Sequence, residues 1–178
     1  LTGSEKSDAK MYVDLCHEKL EDKIKRGIIP PDEVDRFRND IEEELDTFKK
    51  VSMLGFMASM AKIIGWAKSK KIPIGPSRGS VAGSRCAFVT DITETDPVKF
   101  NLVFSRFCNP YRVEVGDIDV DTPDFYRPQI YKHIFNSFGE RRCAYVLALG
   151  TVSDKGTIDE IGRALANRWK KDHEVGFY

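Results

Sequence analysis

Apolar residues recur every three or four positions through most of the first half of the chain. Met11, Tyr12, Leu15, Leu20 and Ile24 predict a first helix, and Gly27 with Pro30 and Pro31 punctuates its end. Val34, Phe37, Ile41, Leu45 and Phe48 predict a second amphipathic helix over 31–50, entered at Pro31. Residues 53–67 are apolar almost all round, which predicts a helix buried on most sides, with its methionines as core filler. The second half reads differently. Ile72–Ile74 predicts a short strand, residues 75–84 a glycine-rich turn with a helix start, and Phe100–Phe104 a second strand. Val113 and Val115 share one face, Ile118 and Val120 form the next apolar pair, and the register switches at Gly116 as at a bulge or bend. Ile130, Ile134 and Phe138 predict a helix capped by Gly139, Cys143–Leu149 a buried strand, and Ile158, Ile161, Leu165 and Trp169 a last amphipathic helix. No repeat or low-complexity tract interrupts this order.

Composition narrows the class. The 178 residues carry 28 Lys+Arg against 28 Asp+Glu with 41% apolar content, which fits one compact domain, alone or with an appendage. No apolar run approaches the ~20 residues of a membrane span, and the charged N-terminus lacks a signal-peptide core, so a soluble cytoplasmic protein is expected. Cys16, Cys86, Cys108 and Cys143 are far apart and form no CxxC pair, which predicts reduced, mostly buried thiols. His17, His133 and His173 have no metal-ligand spacing. The opening Leu1 leads us to expect a piece of a longer protein. Net charge zero conceals a pattern: 10 basic and 14 acidic side chains over 1–50, 6 and none over 51–85, then 5 and 9 over 86–140. A basic stretch set against an acidic cluster suits an anion that arrives with divalent metal, although a solvated face gives the same counts.

Two segments carry candidate chemistry. In an extended chain alternate residues share a face, so Asp117, Asp119 and Asp121 project together while Ile118 and Val120 point inward. Such carboxylates repel unless a cation neutralises them, and neighbouring carboxylates can bridge two hard ions roughly 4 Å apart, as phosphoryl transfer requires. An EF-hand is excluded, because Thr122 stands where the loop needs Gly and Pro128 where it needs Glu. An acidic strand end facing solvent remains the plain alternative. In the turn, Gly75, Gly79 and Gly83 allow close backbone approach, Ser80 and Ser84 offer hydroxyls, and Arg78 can grip phosphate bidentately. It is neither a Walker loop nor GxGxxG, and a plain helix cap would also explain it. Together, a phosphate cradle followed by paired aspartates is what metal-dependent nucleotidyl transfer needs.

The residues at 74–84, Asp91-Ile92-Thr93 with Asp96-Pro97, Leu102 to Val113, Gly116 to Asp121, Gly150-Thr151 with Lys155, and Ile161-Gly162-Arg163 resemble the C-family bacterial replicative DNA polymerases, the polymerase III alpha family, in order and spacing over about 40–165. The resemblance implies an α/β (α+β) fold: a polymerase-beta-like nucleotidyltransferase palm with helices packed on a small mixed sheet and a helical N-terminal part. It divides the chain into a helical segment over 1–50, a palm core over 51–150 and the start of a thumb-side helix over 151–178. It implies DNA synthesis from dNTPs on primer-template DNA with two Mg²⁺ ions, within a longer nucleoid-associated chain and its replisome. Asp119 and Asp121 then bind metal as catalytic residues with Asp117 supporting. Arg78, Gly79, Ser80, Gly83 and Ser84 face the dNTP phosphates, and Lys155 and Arg163 are possible DNA-backbone contacts. The family's third carboxylate falls past Tyr178, so the fragment alone is expected to be inactive. Ser77, Gly116, Thr122 and Asp159 depart from the family pattern, which leaves a non-catalytic nucleotide- or DNA-binding module, or a small nucleotidyltransferase acting on another substrate, as alternatives.

Overall fold

The computed structural model describes residues 5–76, 78–111, 116–146 and 153–172, with side chains between 7 and 169. It divides into two compact units, 1–143 and 144–178.

The first unit is built on three long helices, α1 (Glu5–Lys25), α2 (Val34–Lys50) and α3 (Leu54–Ser69), with the short α4 (Arg85–Val89) set among them. The periodicity that predicted α1 and α2 is the buried stripe: Tyr12, Cys16 and Leu20 from α1 meet Phe37, Ile41, Leu45 and Phe48 from α2. In α3 the burial is one-sided. Leu54, Met57, Ala58, Ala61, Ile64 and Ala67 face inward, whereas Phe56 stays 39% exposed, so the all-round apolar pattern overstated its burial. Phe48, Phe104 and Phe107 meet edge to face beneath the turn region. A smaller apolar cluster of Ala67, Ile72 and Ile130 ties the end of α3 to α5 (Arg127–Phe138). Gly139 ends α5 at a φ of 85° and ψ of 142°, a positive-φ conformation that favours glycine although it is not the left-handed helical cap. All four cysteines are free; Cys16, Cys86 and Cys108 are buried and Cys143 is half-buried.

The expected α/β palm with a small mixed sheet is not present: among the described residues there is no strand. The local hydrogen bonding explains why. At 72–76 the Ile72 N–H closes the end of α3 on the Ala67 carbonyl, and Pro73 and Pro76 have no N–H to give. Only Gly75 reaches across, to the Asp121 carbonyl, so the two segments meet at one backbone bond rather than along a ladder. At 100–104 the N–H groups of Phe100, Asn101 and Leu102 are consumed by Asp96, Val98 and Pro97 carbonyls, which closes a turn that leads into a 3-10 turn at Phe104–Arg106. Within the predicted strand Cys143–Leu149, residues 143–146 form no strand and are not buried, Val146 being 96% exposed, and 147–149 lie outside the described residues, as do Val113 and Val115.

In the second unit, α6 (Asp154–Asp172) realises the last predicted helix, with Ile158, Ile161, Leu165 and Trp169 more than half exposed. Among the described residues no helix is long and apolar enough to cross a membrane.

Candidate nucleotide and metal site

The glycine turn and the acidic segment, 40 residues apart in sequence, lie side by side. The Gly75 N–H donates to the Asp121 carbonyl at 2.9 Å, and the Thr122 hydroxyl donates to the Pro73 carbonyl at 3.0 Å. A Cβ on Gly75 would sit 3.1 Å from the Asp121 Cβ, so the approach is close enough to favour glycine. Ile118 and Val120 lean on the main core, which leaves Asp117, Asp119 and Asp121 exposed on the other face, the alternation expected from sequence without the ladder.

Arg78 bridges the two segments. Its Nη2 lies 3.4 Å from Asp119 Oδ1 and its Nε 3.6 Å from Asp121 Oδ1, with all three side chains about half exposed. One cationic group therefore satisfies both carboxylates at once, whereas Asp117 takes no part in either pair. Gly79, at φ 77° and ψ −162°, holds a conformation that side chains rarely adopt, and its Cβ position would be 3.7 Å from Asp119 Oδ2. Ser80 opens a 3-10 turn, Ser80–Gly83. Gly79, Ser80 and Gly83 line a cleft of about 340 Å³ with Asn101, Val103 and Arg106.

Ser84 faces the other way. It is fully buried; its hydroxyl donates to Glu44 Oε2 at 2.7 Å and accepts from the Ala87 N–H at 3.1 Å as the N-cap of α4. Glu44 also accepts from the Arg85 N–H at 2.8 Å and the Cys86 N–H at 3.0 Å. Burial pushes its carboxyl up to about 7, against the opposing pull of those three donors and the Arg85 guanidinium. The turn is pinned beyond α4 as well. Asp91 adopts φ 59° and is held by Lys23 on its carboxylate at 2.6 Å and by Lys68 on its carbonyl at 2.9 Å, and the Glu94 N–H donates to the Pro76 carbonyl at 2.6 Å. Asp96 caps the Val98 and Lys99 N–H groups. Asp91 and Asp96, both in the resemblance, thus have structural work.

Lys155 and Arg163 are exposed residues of α6, in the second unit. Among the described residues no three His, Cys, Asp or Glu side chains gather as a metal cluster. A magnesium site does not need one from protein alone, since that ion keeps waters and commonly takes one or two carboxylates plus substrate phosphates. Asp119 and Asp121, which converge on a single guanidinium, fit that donor set.

Residues 10–175 match the family model of the bacterial DNA polymerase III alpha NTPase domain. The chain belongs to that family. It is 38% identical over 130 residues to the DNA polymerase III subunit alpha of Buchnera aphidicola, covering 73% of this chain and 11% of the relative. It is 36% identical over 150 residues to that of Xylella fastidiosa, covering 84% and 13%, and 33% identical over 171 residues to that of Escherichia coli, covering 93% and 14%. The chain therefore spans only about a tenth to a seventh of the length of these polymerase III alpha relatives.

Glu44, Asn101 and Arg106 were missed by the sequence reading. Glu44 carried a signal: it lies three residues after Ile41 and four before Phe48, an acid on the apolar stripe of α2. Arg106 lay inside the Leu102 to Val113 segment of the resemblance but was given no role there.

Proposed function

We propose that this chain is part of a bacterial DNA-directed DNA polymerase in which Asp119 and Asp121 hold magnesium while Arg78, Gly79 and Ser80 take the dNTP phosphates. The observation that carries the reading is the Arg78 bridge: the phosphate-facing turn and the two carboxylates are within one side chain of each other. Magnesium, when bound, supplies the charge that neutralises the triphosphate and lowers the pKa of the primer 3′-hydroxyl. The chain's own part is orientation. The Gly79 backbone and the Ser80 hydroxyl offer donors toward the cleft, and Arg106 adds a second cation at its wall. Arg78 can exchange its carboxylate partners for phosphate at little expense, because exposed ion pairs contribute only about 0–1 kcal/mol, and its planar donors suit bidentate phosphate contact. Gly83 lines the cleft with Gly79 and Ser80, while buried Ser84 supports the turn from behind rather than binding phosphate. Lys155 and Arg163 are assigned to DNA-backbone contact from α6, with Asp117 as a supporting carboxylate. Primer-template DNA, dNTPs and the other replisome subunits are the partners this reading implies.

The test is nucleotide incorporation by a polymerase chain that contains this segment. Asp121→Asn should lower the rate by at least about 10²-fold, the upper end of the cost of losing an outer-sphere partner of a metal ligand. Near-normal incorporation would reject the assignment. Calorimetry adds a second reading: Mg²⁺-dependent dNTP binding lost in Asp119→Ala supports the polymerase function, whereas metal-independent DNA binding supports a non-catalytic module.

A further inference from the structure

The α2 helix buries one acid among its core residues. Glu44 is 2% exposed, on the same stripe as Phe37, Ile41 and Phe48, where an apolar or amide side chain would pack without the cost of desolvating a carboxylate. What it meets there is the far end of the glycine turn. Its two oxygens receive the Ser84 hydroxyl and the first two N–H groups of α4, three donors within 2.7–3.0 Å. One turn earlier in α2, Asp40 Oδ2 lies 3.0 Å from Arg85 Nε, off the N–H direction, so this contact is ionic rather than a hydrogen bond. Arg85 in turn donates from Nη1 to the Gly83 carbonyl at 3.2 Å. Residues 84–86 are thereby clamped to α2 through the Ser84 hydroxyl and two backbone amides on buried Glu44 and the Arg85–Asp40 ion pair, while Arg85 also ties back to the Gly83 carbonyl within the turn. The cleft-lining residues Gly79 and Ser80 lie five and four residues before Ser84, where the clamp begins.

Building on the nucleotide reading above, we propose that Glu44 is a positioning residue of this site: its buried carboxylate fixes the Ser84–Cys86 end of the turn so that Arg78, Gly79 and Ser80 are presented to the triphosphate. A plain structural cap would affect stability alone. A positioning role affects dNTP recognition beyond any loss of stability, since about 1 Å of misplacement in such a group costs on the order of 10²-fold.

The experiment uses the polymerase chain that contains this segment, at pH 8. Glu44→Gln keeps the shape and removes the charge, Glu44→Asp keeps the charge on a shorter stem, and Leu20→Ala, a core truncation in α1, controls for lost stability. Glu44→Gln is expected to raise the dNTP KM by about tenfold, with a smaller change in kcat. Glu44→Asp should recover part of the loss, and Leu20→Ala should leave KM at the parent value. A parental KM in folded Glu44→Gln, or an equal rise in Leu20→Ala, overturns the proposal. If Glu44→Gln does not fold, Ser84→Ala decides: removing one of the three donors should raise KM several-fold, and an unchanged KM overturns the role. Asp121→Asn run in parallel separates the two readings. Full incorporation by Asp121→Asn defeats the polymerase assignment itself, whereas its loss together with a parental KM in Glu44→Gln defeats only the role of Glu44.

Discussion

Replacing Gly83 by alanine tests whether the turn is seated on the backbone of Val103. An ideal Cβ there would lie 2.7 Å from the Val103 carbonyl oxygen, 2.9 Å from its carbonyl carbon and 3.3 Å from the Phe104 nitrogen. All three are main-chain atoms, so no rotamer change relieves the overlap; either the 80–84 turn or the 103–104 segment must shift. Overpacking of this kind costs about 1–3 kcal/mol. Gly65 is the internal control. It is an exposed residue of α3 with nothing within 4 Å of its Cβ position, and alanine gains about 1 kcal/mol over glycine in a helix interior. In urea unfolding of the 178-residue chain, Gly83→Ala should fall below the parent and Gly65→Ala rise above it, separated by about 2–4 kcal/mol, with m unchanged. Because Gly83 lines the cleft, Gly83→Ala should also weaken Mg²⁺–dNTP binding while Gly65→Ala does not. Parental stability in Gly83→Ala would refute the packing argument, and intact dNTP binding in a destabilised Gly83→Ala would refute the link between the Val103 seat and the site.

Two further outcomes follow from buried groups. Glu44 titrates at about 7 in the folded chain against an ordinary 4.5, so it favours folding below pH 4.5 and that contribution is lost as pH rises through 7. The difference amounts to about 3 kcal/mol; unfolding free energies of parent and Glu44→Gln should therefore converge or cross by about that amount between pH 4.5 and 8, and a pH-independent gap would contradict it. Thiol reagents should modify half-buried Cys143 first, whereas Cys16, Cys86 and Cys108 react only on unfolding, since burial also pushes the Cys86 and Cys108 thiols up; rapid labelling of native Cys86, mapped by mass spectrometry, would count against the packing described.

The helices were legible because the signal for each lies within its own residues: the Phe37–Ile41–Leu45–Phe48 spacing and the Gly139 stop need no distant partner. Strands are different. A period of two over Ile118 and Val120 reports which side chains face the core, and that much held, but a strand also needs an edge to pair with, and the Pro73–Pro76 segment can offer it one N–H. The pairing of turn with acids was readable only as chemistry, two halves of one nucleotide site, and their contact through Arg78 and Gly75 is what the coordinates add. Glu44 escaped because a helical stripe was read for its apolar members, and the acid interrupting it was counted as solvated charge.

The distribution of burial within the site separates stiffness from chemistry. Asp119, Asp121 and Arg78 are half exposed and paired at 3.4–3.6 Å, where the contribution of each pair to stability is about 0–1 kcal/mol. Such groups can change partners as a ligand arrives. The orientation of the turn that carries Arg78 comes from below, through donors and acceptors withdrawn from water around Glu44, Ser84 and Arg85, where an unmatched group costs about 1–3 kcal/mol. Substitution of the exposed acids should therefore remove activity at near-parental stability, while substitution beneath the turn should change stability and substrate recognition together. Among the described residues this arrangement is held without a strand: Gly75 and Thr122 tie the acidic segment to the turn, Glu94 holds the turn at Pro76, and the buried clamp holds its far end.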